Sequence, residues 1–263
     1  MHVTVLMSVF NRAERVKAAI ESLLAQTNSD WDLVVVDDCS TDDTPRTLTE
    51  FAARDSRIAV ITNETNLGQS ASLNRAWKAA RGPLLARMDD DDVCLPERFE
   101  RQVKFLREHP EIDILGTAAE YVDPSGRTLG ILRRPALHAE LALEMYRSVP
   151  VLHPTVMLRR EVLDSLDGYN VMLRRAQDHD LWFRAYRRFT FHNLSEPLLR
   201  YTAPSRPTWR TIGEGAYVLV CAGLREMRPW VGGWNASRYA AACLYRRWFP
   251  AAPSRSISAA QPS

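Results

Sequence analysis

Leu84-Leu85-Ala86-Arg87-Met88-Asp89-Asp90-Asp91-Asp92 reads as an apolar strand that runs straight into four adjacent carboxylates, with a helix opening near Pro96. Carboxylates packed at a strand end repel one another and raise each other's pKa, so such a run is tolerable chiefly where a cation neutralises it. A divalent ion is the natural candidate. Hard oxygen ligands suit magnesium or manganese, and these ions commonly bring a substrate diphosphate with them rather than sit in an all-protein cage. The plain alternative is an acidic, solvated approach to the following helix.

Apolar runs and helical periodicity alternate on either side of this stretch, as in βαβ units around a mainly parallel sheet. Val3–Val9 reads as a buried strand, and Val16, Ile20, Leu23 and Leu24 then recur at helical spacing. Leu33–Val36 is a second strand, followed by the polar turn Asp37 to Asp43 and a helix with Pro45 in its first turn. Arg57–Thr62 gives a third strand, and Leu73, Trp77 and Ala80 mark a helix before the strand at 84–88. Phe99, Val103 and Leu106 mark the next helix. After Asp113 the pattern becomes α+β. Asp123-Pro124-Ser125-Gly126 is a hairpin turn between strands near 114–122 and 128–132. Helices are expected over 138–147 and 178–188, with a strand near 155–158.

The expected organisation is a domain over 1–203 in two halves, one to about 112 and one from 113. A helical extension over 204–250 and a disordered end over 251–263 follow. With 263 residues, 46% hydrophobic, the chain can bury a full core. Its net charge of +2 hides an asymmetry, because residues 205–263 carry eight Arg against two Glu, and four of the seven Trp. That extension admits two readings. One is an interfacial helix at lipid headgroups, giving peripheral contact with the inner face of the cell membrane. The other is a helical subdomain that packs on the core or on a second copy in a homo-oligomer. So local a basic patch does not point to nucleic acid. The four Cys lack CxxC spacing, which argues against a zinc site and fits a reducing compartment. No basic leader precedes Val3, and the apolar stretch 216–224 is far short of the roughly 20 residues of a membrane span, so a cytoplasmic protein is expected.

In open α/β sheets ligands bind beyond the carboxyl ends of the strands. Those ends read Ser8-Val9-Phe10-Asn11, Asp37-Asp38-Cys39-Ser40 and Asp89 to Asp92. Neither GxGxxG nor a P-loop follows the first strand, so both common phosphate loops are excluded.

Six segments together resemble a family 2 glycosyltransferase of GT-A fold, a Rossmann-like α/β architecture. They are Met7-Ser8-Val9-Phe10-Asn11-Arg12, Val36-Asp37-Asp38-Cys39-Ser40-Thr41-Asp42, Asn66-Leu67-Gly68, Ala86 to Asp92, His153-Pro154-Thr155-Val156-Met157, and Gln177-Asp178-His179-Asp180-Leu181-Trp182. The resemblance covers roughly residues 1–200 and not the extension, and it implies a nucleotide-binding half to about 112 and an acceptor half from 113. It implies a metal-dependent, inverting transfer of one sugar from a UDP-, GDP- or dTDP-sugar to a saccharide or lipid-linked saccharide, in surface polysaccharide or glycolipid assembly.

Residue by residue, the resemblance implies that Asp38 accepts a hydrogen bond from the nucleotide base and that Phe10 stacks on it, beside Asn11 and Arg12. Gly68 and Asn74 match a loop and helix that flank the donor. Asp91 would ligate manganese or magnesium, with Asp89 reaching ribose or metal. Asp90, also a candidate for nucleotide-sugar binding, stands where a small residue is usual, which leaves the ligand assignment open by one position, and Asp92 could substitute. Asp178 matches the carboxylate that removes the acceptor's proton, and the residue before it is Gln177 rather than the usual Glu. Each has a plainer reading: Asp178 could be a helix N-cap, and Asp38 a helix-end acid. His153, Asp180 and Trp182 are candidates on the acceptor side, whereas His109, His138 and His179 read as surface residues. Two other functions stay open on the sequence, a sugar-nucleotide nucleotidyltransferase and a non-catalytic sugar-nucleotide-binding subunit. The former would carry a Gly-rich basic loop after the first strand, which Phe10-Asn11-Arg12-Ala13-Glu14 is not.

Overall fold

A computed structural model of the chain describes residues 1–123, 125–145 and 149–202, together with 216–218, 220 and 237. The chain divides into two compact units, Met1–Ala203 and Pro204–Ser263. The expected helices of the extension and the expected disordered end lie almost wholly outside the described residues.

Strands β1 (Val3–Val9), β2 (Trp31–Asp37), β3 (Ile58–Thr62) and β4 (Leu84–Arg87) pair in parallel in the order β3-β2-β1-β4. They are joined by helices α1 (Ala13–Leu24), α2 (Thr44–Arg54) and α3 (Gln69–Ala79). All seven residues of β1 are buried and five are apolar, as a strand covered on both faces requires. Strand side chains alternate between faces. Val3, Val5, Met7 and Val9 join one core cluster with Val16, Ile20 and Leu23 of α1 and with Leu48 and Phe51 of α2. Phe99, Val103 and Leu106 of α4 (Arg98–Glu108) also belong to it. Helix α3 also packs on β1 and β2 but contributes nothing to that cluster, so it covers the opposite face.

Beyond β4 the sheet turns mixed, continuing β8 (Met157–Arg159), β6 (Ile114–Val122), β9 (Phe191–Thr202) and β5 (Val93–Cys94). Strand β7 (Thr128–Leu132) forms the expected hairpin with β6. Helices α5 (His138–Glu144), α6 (Arg160–Leu166) and α7 (Gln177–Ala185) complete this half. Three elements go beyond the sequence reading: β5, α6 and the twelve-residue β9. The strand expected near 155–158 is β8, and residues 153–155 before it form a single 3-10 turn.

One consequence places the site. Because β1, β2 and β4 run the same way, Phe10, Asp38 and the acidic run leave the sheet at one edge.

Candidate active site

The loops after β1 and β2 are locked together. Asn11 N donates to Ser40 Oγ at 2.9 Å, Thr41 N donates to Asn11 Oδ1 at 2.8 Å, and Arg12 N donates to Thr44 Oγ1 at 2.9 Å. Asn11 and Cys39 hold φ of 53° and 66°, a region that costs a side chain strain and persists only where surrounding bonds enforce it. This leaves Phe10 with 44% of its surface exposed at the strand end, an aromatic face free to stack. Asp38 is turned inward. Its Oδ1 accepts from Asn63 Nδ2 at 2.6 Å and Leu67 N at 2.8 Å, and its Oδ2 accepts from Gly68 N at 2.8 Å. The carboxylate thus fastens the 66–68 loop. Gly68, at φ 88° and ψ 163°, takes the positive-φ extended conformation that glycine alone adopts freely, and opens α3. Asn74 is committed to folding as well: it donates to Tyr169 O and accepts from Tyr169 N, both at 2.8 Å.

The acidic run is crowded and incompletely neutralised. Asp89 is ion-paired with the buried Arg87 and accepts from Gln69 Nε2 at 3.1 Å. Asp91 meets Arg15 of α1 at 3.1 Å. Asp92 is 1% exposed; its Oδ1 accepts from Thr202 N at 2.9 Å, while its Oδ2 finds no partner among the described residues. Burial and then the charges of Asp89 and Asp91 push the carboxyl of Asp90 up to about 7. Asp91 and Asp92 are likewise raised, first by burial and then by Asp89.

An orphaned buried carboxylate oxygen beside neighbours that resist ionisation marks a site short of positive charge. That fits a divalent cation. Among the described residues no three His, Cys, Asp or Glu side chains are gathered as a ready cage. A cation here would therefore rest on one or two carboxylates and complete its shell with substrate oxygens and water, as magnesium and manganese tolerate.

Helix α7 carries the second carboxylate group. Ala176, at φ 55°, turns the chain into it, and Gln177 then donates to Gln69 Oε1 at 2.5 Å. Asp178 stands in the first turn, not at the N-cap, and burial raises its pKa. The His179 ring and the backbone N–H groups pull that pKa back, while Asp89 adds to the rise. Asp89's charge therefore reaches Asp178, although 88 residues separate them in sequence.

His179 corrects the surface reading. It is 3% exposed, bonded through Nε2 to Met145 O at 2.8 Å and stacked on Phe183. Asp180 is paired with Arg184 at 2.8 Å. Trp182 is fully buried, edge-on to Phe191 and His153, so it supports the site from within. His153 Nε2 lies 2.9 Å from Tyr169 Oη, and burial, reinforced by Arg87, holds its imidazole well below the usual range and neutral.

Several residues of this constellation carry no motif signal. Tyr201, stacked on Tyr121, has its hydroxyl pushed up by burial and then by Asp89, Asp92, Asp178 and Asp91, so it faces both carboxylate groups. Thr202 donates through Oγ1 to Asp91 O at 2.6 Å. Arg87 and Gln69 bracket Asp89. Arg87 alone of these lies inside one of the six segments of the resemblance, as a lone cation in an otherwise apolar strand.

The chain matches the family model for Glycosyl transferase family 2 over residues 4–167. EpsE of Bacillus subtilis (strain 168), which is named as a glycosyltransferase, is 36% identical over 206 residues, 75% of this chain and 72% of that protein. Among solved structures, residues 1–349 of S. aureus TarS in complex with UDP-GlcNAc match with a TM-score of 0.69 at 22% identity, covering 94% of this chain and 73% of that one. Mannosyltransferase PcManGT from Pyrobaculum calidifontis, in complex with GDP-Man and Mn2+, matches with a TM-score of 0.64 at 18% identity, covering 95% and 76%. These two share the expected GT-A fold. No helix among the described residues is long and apolar enough to cross a membrane.

Proposed function

The chain belongs to glycosyl transferase family 2, and from that premise we propose that it moves one sugar from a nucleotide-diphosphate sugar to an acceptor hydroxyl by single displacement with inversion. One observation carries the reading. The under-neutralised acidic run and the Asp178 carboxylate, distant in sequence, are joined through Gln69 and Gln177 at one edge of the sheet.

The donor's base would stack on Phe10, over the loops held by Asn11 and Asp38. Asp91, with Asp89, would hold manganese or magnesium. When bound, such an ion offsets the charge that gathers on the departing diphosphate. The nucleotide sugars and Mn2+ in the two structural relatives support this assignment by analogy of fold.

Asp178 is the base. It takes the proton of the acceptor hydroxyl as that oxygen bonds to the anomeric carbon. The carbon–oxygen bond to the diphosphate breaks with its electron pair leaving on the nucleoside diphosphate, and attack from the opposite face inverts the carbon. Burial that raises the Asp178 pKa makes its carboxylate a stronger base than an exposed one. His153 and Trp182, both inside the core, shape the acceptor side from beneath. Assembly of a surface polysaccharide or glycolipid is the setting.

Two substitutions separate the roles. Asp91→Asn should abolish metal-dependent donor binding in calorimetry. Asp178→Asn should bind donor as before yet transfer sugar about 10²–10⁴-fold more slowly; near-normal turnover by that variant would remove Asp178 as the base.

A further inference from the structure

The Gln69 side chain stands between two groups, donating through Nε2 to Asp89 at 3.1 Å and accepting through Oε1 from Gln177 at 2.5 Å. An ionised carboxylate can only accept, so Asp89 dictates which end of the Gln69 amide it meets. The amide oxygen must then face position 177, and position 177 must donate. Glutamine can do so. A glutamate, usual at this place in the motif that Gln177-Asp178 resembles, would set a carboxylate against an amide oxygen, two acceptors with no proton between them.

Gln177 is 7% exposed, and its own Oε1 has no partner among the described residues. The bond to Gln69 is therefore what orients its side chain at the start of α7, directly after the left-handed Ala176.

We infer that Gln69 and Gln177 are a matched positioning pair, whose amide direction is set by Asp89 and which holds the first turn of α7, and Asp178 with it, against the acidic loop. The inference rests on the reading of Asp178 as the base. Neither glutamine is a catalytic residue; both act through the groups they hold. The departure at 177 is thus the half of a pair that Gln69 requires, not a lost charge.

The test uses Q69K, Q177E and the double variant, each measured for thermal midpoint, kcat and donor KM. A lysine at 69 donates at both ends. Q69K alone sets an ammonium beside Asp89, where it competes with a bound cation, so kcat is read at saturating Mn2+, and Q69K, in which Gln177 can turn its free oxygen toward the ammonium, serves as the reference for the double variant. Q177E should melt about 2–8 °C lower and lose about tenfold or more in kcat while KM changes less. Q69K/Q177E should recover both midpoint and kcat to about the level of Q69K.

The pair is overturned if Q177E equals the parent in both measurements, or if the double variant is no better than Q177E. A recovered midpoint with kcat unmoved throughout overturns the positioning claim as well. The melting pattern does not depend on which group is the base, so a failure of Asp178 in that role would show separately, in undiminished turnover of Asp178→Asn.

Discussion

Asn63 Nδ2 donates to Asp38 Oδ1 at 2.6 Å, and with Leu67 N and Gly68 N it saturates a carboxylate that is 3% exposed. Asp38 therefore builds the loop against which a nucleotide would lie. Asp38→Asn would turn an amide N–H2 toward donors that expect an oxygen. Leaving such groups unsatisfied costs about 1–3 kcal/mol, so the melting midpoint should fall by about 2–10 °C and nucleotide affinity should fall with it. A variant that melts like the parent yet no longer binds nucleotide would mean that the carboxylate acts on the base directly.

General bases contribute about 10²–10⁴-fold to rate, and Asp178→Asn should lose turnover in that range. Because burial raises the Asp178 pKa, and the base works only when deprotonated, kcat of the parent should climb with pH along a limb that lies above the ordinary carboxylate range. A flat acid limb down to pH 4 would contradict this.

Asp90 gives a pH effect on stability with a definite sign. Its folded pKa of about 7 lies above the unfolded value of 3.8. Its contribution is therefore fully present below 3.8 and is lost as pH rises through about 7. In chelator, the midpoint of Asp90→Asn should gain on the parent's steadily from pH 5 to pH 8. The difference between the two proteins is the quantity to follow, since buried His153 and His179 add an opposite trend common to both. A gap that narrows toward pH 8 would refute the argument.

Arg15 occupies Asp91 at 3.1 Å, where a bound cation would compete with it. The pair is partly exposed, and such pairs are worth about 0.2–1 kcal/mol. Arg15→Ala should therefore tighten Mn2+ binding about two- to fivefold, read from the free-ion signal in paramagnetic resonance. Unchanged or weaker binding would show that Arg15 does not contend for the site.

Asn74 separates folding from recognition. Both of its amide atoms bond to the Tyr169 backbone. Asn74→Ala should lower the midpoint by about 2–8 °C and leave nucleotide affinity nearly unchanged in calorimetry. A selective loss of affinity would restore it to the donor site.

The first four strands and three helices were legible because strands covered on both faces are mostly apolar, and β1 and β2 are, with Thr4, Ser8 and the β2 aspartates as the exceptions. Strand β9 was not. Its polar residues and Pro197 break the pattern, and its pairing with β6, some 77 residues upstream, slips between Thr117 and Ala118, where Ala118 faces that proline. Within the site, clustered carboxylates announce themselves through the cost of packing like charges. Gln69, Gln177 and Thr202 do not, because neutral side chains acquire their role only from what folding sets beside them. The inward turn of Asp38 was hidden for the same reason.

Thr202 bonds Asp91 O and Asp92 Oδ1, and the strand it ends pairs with β5 immediately after the acidic run. During synthesis the first four strands can therefore pair while the ribosome is still reading the second half, but the acidic loop stays without its clasp until residue 202 has left the exit tunnel. A chain arrested near residue 190 should hold a protease-resistant nascent half that captures no manganese, so ion-binding competence would come last in biogenesis.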